Sequence, residues 1–165
     1  MPPEPTGRRL TTPRLVLVPQ SLTAARALLA GEDPGLPLGA GYPHADTIDG
    51  LSIVVSHANN DTDLGGWFIT RAEDGRVIGD CGTKGWVDDD GRVEIGYGLA
   101  APFRERGYGT EAVQAMVDWL RAQSDVQAVT AEVEVGNTAS RRLLERLGFA
   151  LQSEDGGSWW FLLAA

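Results

Sequence analysis

Three strand-like segments joined by two hairpin signals are the feature that most constrains the fold of this chain. The hairpin signals are the dipeptides Asp74-Gly75 and Asp90-Gly91, which favour tight turns. The strand-like segments around them cover residues 67–70, 76–87 and 93–100. Strands that follow one another through such short turns pair antiparallel. The sequence therefore predicts an antiparallel sheet of three strands in the middle of the chain.

Strand-like and helical patterns alternate in the rest of the chain. The further predicted strands cover residues 15–18, 129–135, 149–153 and 158–163. The predicted helices run from the cap residue Ser21 to Gly31, from Thr110 to about Gln123, and from Asn137 or Thr138 to Gly148. The helix that starts at Thr110 follows a glycine-bearing loop. This alternation indicates helices packed on the faces of one sheet.

Residues 31–66 have the least regular pattern. Apolar residues from Ile48 to Ala58 have helical spacing behind a Thr47 cap, whereas residues 53–55 also suit a strand. We interpret this stretch as a helix. The order is then β-α-(α)-β-β-β-α-β-α-β-β, which predicts an α/β (α+β) fold with a mixed, mostly antiparallel sheet flanked by helices.

Length, charge and cysteine content limit the classes of protein. The 165 residues, 42% of them hydrophobic, suit a single domain over 1–165, with the proline-rich residues 1–9 as a mobile arm. No segment reaches the roughly 20 continuous apolar residues of a membrane span. A net charge of −9 argues against binding to nucleic acid or to a membrane surface and suits a cationic partner. The single cysteine, Cys81, and the absence of a secretion signal indicate the cytoplasm.

A glycine-bearing loop precedes the helix from Thr110, with the sequence RERGYGTE over residues 104–111. The first turn of a helix leaves backbone N–H groups unpaired at the positive end of the helix dipole, which suits a phosphate or pyrophosphate. Gly107 and Gly109 lack the Cβ atom that would keep an anion away. The same residues also suit a plain turn between a strand and a helix.

The order of several motifs resembles the GNAT superfamily of acetyl-CoA-dependent N-acetyltransferases. The family's coenzyme motif is Gln/Arg-x-x-Gly-x-Gly/Ala, and an Asn-x-x-Ser and Leu-Gly-Phe pattern follows it. The matching positions are Arg104, Gly107 and Gly109 for the first motif, and Asn137, Ser140 and residues 147–149 for the second. Residues 12–17 and 94–97 are similar to the branch with the ribosomal-protein N-terminal (Rim-type) acetyltransferases. The resemblance covers most of the chain outside about 31–66.

The resemblance implies that acetyl-CoA is the cosubstrate. Its pyrophosphate would lie on the amides of residues 105–110, and its pantetheine arm near Asn137. The implied coenzyme-binding residues are Leu99, Arg104, Arg106, Gly107, Tyr108, Gly109, Thr110, Asn137 and Ser140. Asn137 also suits a helix cap, and Ser140 a small packing contact. Gly96 and Gly98 leave one strand face almost free of side chains, which suits either pantetheine or a close helix crossing.

A base is expected because an amine must lose a proton before it attacks a thioester. Glu94 lies on the same strand face as Gly96 and Gly98, and Glu132 lies where the resemblance places a base in some N-terminal acetyltransferases. Both also suit solvated strand glutamates. The tyrosine that protonates the thiolate in several family members is replaced by Leu144. Water is then left for that step.

Other reactive side chains receive different interpretations. Strand alternation places Tyr97 on the face opposite Glu94, and Tyr108 lies in the glycine-bearing loop, so neither replaces the missing acid without a bulge that re-aims the strand. Cys81 is interpreted as an inert buried thiol rather than a nucleophile. His44 either borders the acceptor pocket or is an exposed loop residue. No spaced His/Cys cluster is present, so we expect no metal.

The resemblance implies that the acceptor is an amine-bearing small molecule or a peptide N-terminus. The branch resemblance indicates a protein N-terminus, whereas the net charge of −9 is compatible with any cationic amine, including a polyamine or an aminoglycoside. A domain that binds acyl-CoA without catalysis, as a sensor, is the alternative class. The assignment also allows a homodimer.

Overall fold

The computed structural model describes residues 8–56, 65–85 and 87–165. Within them the chain forms one eight-stranded sheet and four α-helices. The strands are β1 (Leu10–Thr11), β2 (Leu15–Pro19), β3 (Gly66–Arg71), β4 (Val77–Thr83), β5 (Arg92–Leu99), β6 (Ala128–Glu134), β7 (Ala150–Asp155) and β8 (Ser158–Ala164). The helices are α1 (Leu22–Ala30), α2 (Ala45–Ser56), α3 (Tyr108–Arg121) and α4 (Thr138–Arg146). The predicted fold class is confirmed, and the short β1 is the strand that the sequence patterns missed.

The strands follow the order β1-β2-β3-β4-β5-β6-β8-β7 across the sheet. All neighbours are antiparallel except β5 and β6, which run parallel. The chain crosses from β5 to β6 through α3, because parallel strands need such a long connection. The three predicted central strands are β3, β4 and β5, and they pair as expected.

Helices pack on both faces of the sheet. α3 covers the face that carries Trp67, whose ring lies 5.4 Å from the Trp119 ring. The fully buried residues of α3 that are larger than alanine are Val113, Met116, Val117 and Leu120. Their spacing is the predicted helical one, and each contributes about 1.5–3 kcal/mol by burial. α2 contacts β3, β4 and β5 on the other face, where the residue before it, His44, lies against Gly98.

α2 confirms the helical interpretation of the ambiguous stretch as far as residue 56, and Ala58 lies outside the described residues. The helix begins at Ala45, so the prediction that Thr47 is its cap was wrong. Thr47 lies inside the first turn, and its Oγ1 accepts a hydrogen bond from the backbone N–H of His44 at 3.3 Å. The hydroxyl therefore bonds back to the residue before the helix.

α3 also begins earlier than predicted, at Tyr108 rather than Thr110. Gly107 precedes it with a φ of 81°, a backbone conformation that glycine adopts without strain. The helix can therefore start directly after this residue. β4 ends at Thr83, short of the predicted end at residue 87.

The predicted mobile arm over residues 1–9 extends too far. Residues 1–7 lie outside the described residues, but Arg8 is buried. Its guanidinium carbon lies 4.6 Å from the centre of the Trp67 ring, and its carbonyl accepts a 2.8 Å hydrogen bond from Trp67 Nε1. Cation–π stacking and this bond tie the backbone at Arg8 to β3.

Candidate active site

The sheet opens between its two parallel strands. β5 and β6 pair only as far as Ile95 and Ala131, although β5 continues along β4 to Leu99 and β6 continues along β8 to Glu134. A cavity of about 300 Å³ lies at this opening. Residues of α2, β4, β5, β6 and the start of α4 line it. Gly66 of β3 lines it as well, so the fold provides one site that is reached by six separate elements.

The loop before α3 presents unpaired backbone donors, as the sequence predicts. The backbone N–H groups of residues 105–110 donate none of the described turn, loop and cap hydrogen bonds, and the first such bond of the helix runs from Glu111 to Gly107. Glu105 and Gly107 both have positive φ values, 62° and 81°. When residues with left-handed backbone conformation alternate with right-handed ones, successive backbone N–H groups point toward the same side of the loop. Such a loop forms a concave site for an anion.

The two loop arginines are exposed, but only one of them is fixed by its own side chain. Arg104 Nε donates a 2.9 Å hydrogen bond to the carbonyl of Leu99, at the end of β5. Arg106 is held through its backbone carbonyl, which accepts a 2.9 Å bond from Arg14 Nη1. Both guanidinium groups thus lie on the same loop as the unpaired amides. Thr110 is half-buried in the first turn of α3.

An N-terminal segment supports this loop, which the sequence motifs alone did not show. Glu111 Oε1 accepts bonds from Thr12 Oγ1 at 2.6 Å and from the backbone N–H of Arg14 at 2.8 Å, and Glu111 Oε2 pairs with Arg14 Nε at 2.8 Å. The Arg14 guanidinium also covers the Tyr108 ring at 4.4 Å. Burial alone would raise the pKa of Glu111, but these bonds together lower it.

The start of α4 brings Asn137 and Ser140 to the cavity. Asn137 caps the helix through Oδ1, which accepts a 3.2 Å bond from the backbone N–H of Ser140, so the capping interpretation is confirmed. The amide nitrogen of Asn137 remains available to a ligand. The Ser140 hydroxyl forms a 2.5 Å hydrogen bond with the Tyr97 hydroxyl, which joins α4 to β5. Leu144 is fully buried.

Tyr97 is a cavity residue that the sequence interpretation set aside. Its side chain does lie opposite Glu94 by alternation, but the separation of β5 from β6 brings it to the cavity wall. Burial raises the pKa of Tyr97, and the bond with Ser140 opposes this shift. The phenol therefore keeps its proton at neutral pH. The signal that was missed is the opening of the sheet, which no local pattern reports.

Gly96 and Gly98 do not leave the strand face empty. A Cβ atom at position 96 would lie 3.1 Å from Lys84 Cε, and one at position 98 would lie 2.7 Å from His44 Cε1. The lysine stem and the imidazole ring therefore occupy the space that the sequence interpretation offered to pantetheine. The glycines permit a close approach of these side chains from β4 and from the residue before α2.

The two predicted bases lie in different surroundings. Glu94 is paired with Lys84, whose Nζ lies 3.2 Å from Glu94 Oε1, and it is not among the residues that line the cavity. Glu132 lines the cavity and accepts a 2.6 Å bond from Ser158 Oγ. Glu134 lines it as well, although the sequence interpretation left it as a solvated residue. The structure thus brings Glu132 to the site more directly than Glu94.

A polar cluster surrounds Asp80 of β4, which the sequence did not predict, and it includes His44, for which the sequence left open a place at the acceptor pocket. Asp80 lines the cavity, and its Oδ2 accepts a 3.0 Å bond from the Tyr42 hydroxyl. The ring of His44 lies 5.9 Å from that of Tyr42 in an edge-to-face arrangement. Burial is the main cause that raises the pKa of Asp80, against the hydrogen bond of Thr47 and the charge of His44. A lone aspartate in the apolar strand VIGDCGT was the available signal.

Cys81 fits its predicted role. It is buried, and its pKa is raised by burial and by the nearby charge of Asp80, so its thiol is protonated at neutral pH.

Among the described residues no three His, Cys, Asp or Glu side chains are grouped as a metal ion would require. None of the helices in the described part of the chain is long and apolar enough to cross a membrane.

Comparison with known proteins agrees with the motifs and the geometry of the loop. Residues 14–150 match a family model described as the acetyltransferase (GNAT) domain, which is more than half of the chain. The chain belongs to the GNAT acetyltransferase family. It is therefore an acyl-transferring enzyme, and the resemblance seen in the sequence is confirmed. GNAT relatives among curated proteins also carry this activity in their names.

Two such relatives come from bacilli. YjdG of Bacillus subtilis (strain 168), an uncharacterized N-acetyltransferase, is 29% identical over 118 residues, which are 69% of this chain and 70% of that protein. The uncharacterized N-acetyltransferase p20 of Bacillus licheniformis is 36% identical over 94 residues, 54% of this chain and 53% of p20. The chain thus spans about half the length of p20.

Solved GNAT structures share the fold. The acetyltransferase from Agrobacterium tumefaciens str. C58 superposes with a TM-score of 0.68 at 24% identity and covers 95% of this chain and 94% of its own. RimL, a ribosomal-protein alpha-N acetyltransferase solved with coenzyme A, gives a TM-score of 0.71 at 15% identity over 95% of this chain and 98% of its own. These likenesses concern the fold, while the acceptor is a separate question.

Proposed function

We propose that this GNAT enzyme moves the acetyl group of acetyl-CoA directly to a primary amine of a cationic acceptor. The observation that carries the proposal is the position of the cavity. It lies at the opening between β5 and β6, where carboxylates line its wall and from which β5 leads on to the loop before α3. A coenzyme and an amine can meet at this opening.

The coenzyme half of the proposal rests on the loop before α3. Its unpaired amides over residues 105–110 suit the pyrophosphate, and Arg104 and Arg106 supply positive charge beside them. Asn137 and Ser140 line the cavity where the pantetheine arm would run. When bound, acetyl-CoA supplies an activated acetyl thioester. The protein residues hold it and handle the protons of the amine.

The acceptor half of the proposal rests on the charge of the cavity wall. The carboxylates that line the cavity are Asp46, Asp49, Asp80, Glu132 and Glu134. Among the described residues on this wall, Lys84 is the one cationic side chain, and it is paired with Glu94. A wall of this sign attracts cations and repels anions. It supports a small cationic amine, such as a polyamine or an aminoglycoside, as well as a positively charged peptide N-terminus.

Proton transfer needs a base for the amine and a donor for the leaving thiolate. Glu94 and Glu132 are the bases proposed from the sequence. The hydroxyl pair of Tyr97 and Ser140 can return a proton to the thiolate, since both residues line the cavity and are already hydrogen-bonded to each other. This pair takes the place of the tyrosine that Leu144 replaces.

The first test concerns the coenzyme loop through Gly109→Val. A Cβ atom at this position would lie 3.2 Å from Leu143 Cδ1, so the branched side chain must push the first turn of α3 away from α4. We expect acetyl-CoA affinity to fall by roughly 1–3 kcal/mol in calorimetry, because charge-assisted amide bonds to phosphate are disturbed. The control is Gln114→Val, which places the same side chain on the exposed face of the same helix. Equal affinity in both variants contradicts the assignment.

The second part of the test measures CoA release with a panel of small amines, aminoglycosides and peptides, followed by mass spectrometry of the product. Acetylation of a small polycation supports one acceptor class, and acetylation of a peptide N-terminus supports the other. Acetyl-CoA binding without CoA release with any amine indicates the non-catalytic sensor.

Four further properties stay predictions from the sequence: a single domain over 1–165, a cytoplasmic location, independence of metals and a homodimer.

A further inference from the structure

The polar cluster around Asp80 is not explained by the residues that the sequence assigns to catalysis. Asp80 lies on β4 directly opposite Gly98 of β5, on the sheet face that α2 covers. Its carboxylate accepts a bond from Tyr42, and none of the ion pairs among the described residues involves it. A half-buried carboxylate that belongs to no ion pair is costly, and a cation that enters the cavity relieves this cost.

His44 gives a second, independent observation at the same place. Its two ring nitrogens are buried, and neither has a hydrogen-bond partner among the described residues. The ring lies over Gly98 and beside Tyr42. A carboxylate outside every ion pair of the described residues and an imidazole whose nitrogens have no hydrogen-bond partner there thus lie next to one cavity, which indicates a place prepared for a polar group.

We propose that Asp80 is the group that accepts the proton of the acceptor ammonium, with Tyr42 as a positioning residue that holds the carboxylate toward the cavity. The inference rests on the proposed function and assigns its base. Glu94 is already neutralised by Lys84, and Glu132 is exposed and bonded to Ser158. Asp80 lines the same cavity as Tyr97 and Ser140, so one space contains the base and the thiolate proton donor.

The proton and electron balance of the step is complete. The ammonium gives one proton to Asp80, and the neutral amine attacks the thioester carbon. A C–N bond forms as the C–S bond breaks, and the electron pair of that bond stays on sulfur. The thiolate takes one proton from the Tyr97–Ser140 hydroxyl pair to form the CoA thiol, and the nitrogen gives up its second proton as the amide forms, which restores that pair. The proton on Asp80 then leaves to solvent, and the carboxylate is restored.

The residues around Asp80 determine the direction in which its pKa is shifted. The segment that leads into α2 presents Tyr42 and His44, and α2 itself adds Thr47 and Asp46, the charge of which raises the pKa of Asp80 further. The neighbouring strands place uncharged partners beside it, Phe68 on β3 and Gly98 on β5. Burial and Asp46 hold the pKa of Asp80 above the ordinary aspartate range, nearer to the pH at which a base works best.

The test compares Asp80→Asn with Glu94→Gln, Glu132→Gln and the remote control Asp125→Asn, which lies in an exposed turn. Acetyl-CoA binding is measured first and reports the folded coenzyme site in every variant. We expect Asp80→Asn to bind acetyl-CoA normally and to lose kcat/KM by about 10²–10⁴-fold at neutral pH. This defect should shrink as the pH rises, because more of the acceptor is then neutral in solution.

Tyr42→Phe provides a readout that does not depend on whether Asp80→Asn folds. Loss of the bond from the phenol removes a contact that stabilises the charged carboxylate, so the acidic limb of the kcat/KM profile should move to higher pH. An unmoved acidic limb in Tyr42→Phe overturns the inference, and so do near-normal rates for a folded Asp80→Asn. A large loss confined to Glu94→Gln or Glu132→Gln overturns it in favour of those bases. Absence of CoA release by the wild type with every amine instead overturns the proposed function.

Discussion

Glu111 shows how one side chain connects distant parts of the sequence to the coenzyme loop. It belongs to the first turn of α3, yet its carboxylate binds Thr12 and Arg14, nearly a hundred residues earlier in the chain. Arg14 in turn holds the carbonyl of Arg106. The loop geometry is therefore fixed by a carboxylate that lies beside the anion site rather than in it. Its negative charge near a helix N-terminus is also favourable for the helix dipole.

The first prediction at this scale concerns stability against pH. Because the folded-state pKa of Glu111 is lowered below its ordinary 4.5, its contribution to stability is present above that pH and is lost as the pH falls through the folded value. We expect Glu111→Gln to lower Tm by a few degrees near neutral pH, with the difference from wild type shrinking as the pH falls through the lowered folded-state pKa of Glu111. The control is Glu145→Gln, whose pair with Arg141 is about half exposed. A constant difference at all pH values contradicts the linkage.

At the scale of secondary-structure elements, the start of α4 combines a structural and a ligand-binding role in one residue. Asn137 Oδ1 caps the helix, while the amide nitrogen is available to the cavity. Asn137→Ala removes both groups, whereas Asn137→Asp keeps the capping oxygen and removes the amide donor. This pair of variants separates the two roles.

We expect Asn137→Ala to cost about 1 kcal/mol of stability and to weaken acetyl-CoA binding. Asn137→Asp should keep the unfolding free energy of the wild type but show the same loss of acetyl-CoA affinity. Denaturant unfolding and calorimetry measure the two quantities separately. If the aspartate variant binds acetyl-CoA as well as the wild type, Asn137 is a cap and not a coenzyme contact.

Elements with strong local signals were predictable from the sequence. Ser21 and Gly31 bound α1 as expected, and Asn137 caps α4, because capping and left-handed glycine act within a few residues. The start of α3 was missed by two residues, since a glycine before Tyr108 can stand either inside or outside a helix. Local sequence signals therefore predicted which helices form more reliably than they predicted the first residue of each helix.

The site was predictable only where it depends on one continuous segment. The coenzyme loop is such a segment, and its unpaired amides agree with the prediction. Asp80 and Tyr97 were missed because their roles depend on which strands are neighbours and on where β5 and β6 separate. The room expected over Gly98 is occupied by His44, which comes from more than fifty residues earlier in the chain. No pattern within one strand reports such contacts.

At the scale of the whole molecule, charge and topology act on the same place. The chain carries 23 acidic and 14 Lys and Arg residues, and carboxylates from α2, β4 and β6 meet at the opening of the sheet. Part of the excess negative charge of the molecule is therefore concentrated on the wall of the cavity. A concave site with low-dielectric walls strengthens such a field. The coenzyme loop, in contrast, carries Arg104 and Arg106.

The last prediction follows from this field. The kcat/KM value for a cationic acceptor should fall several-fold as the salt concentration rises from about 0.05 M to about 0.5 M, because screening shortens the reach of the carboxylates. Replacement of Asp46 and Asp49 by asparagine should flatten this dependence, since both residues face the cavity from α2. Acetyl-CoA affinity, measured in parallel, reports the separate effect of salt on the phosphate loop. A kcat/KM value that stays constant with salt for every cationic acceptor would show that the acidic wall does not attract the amine. The acceptor would then have to be recognised by shape and hydrogen bonds.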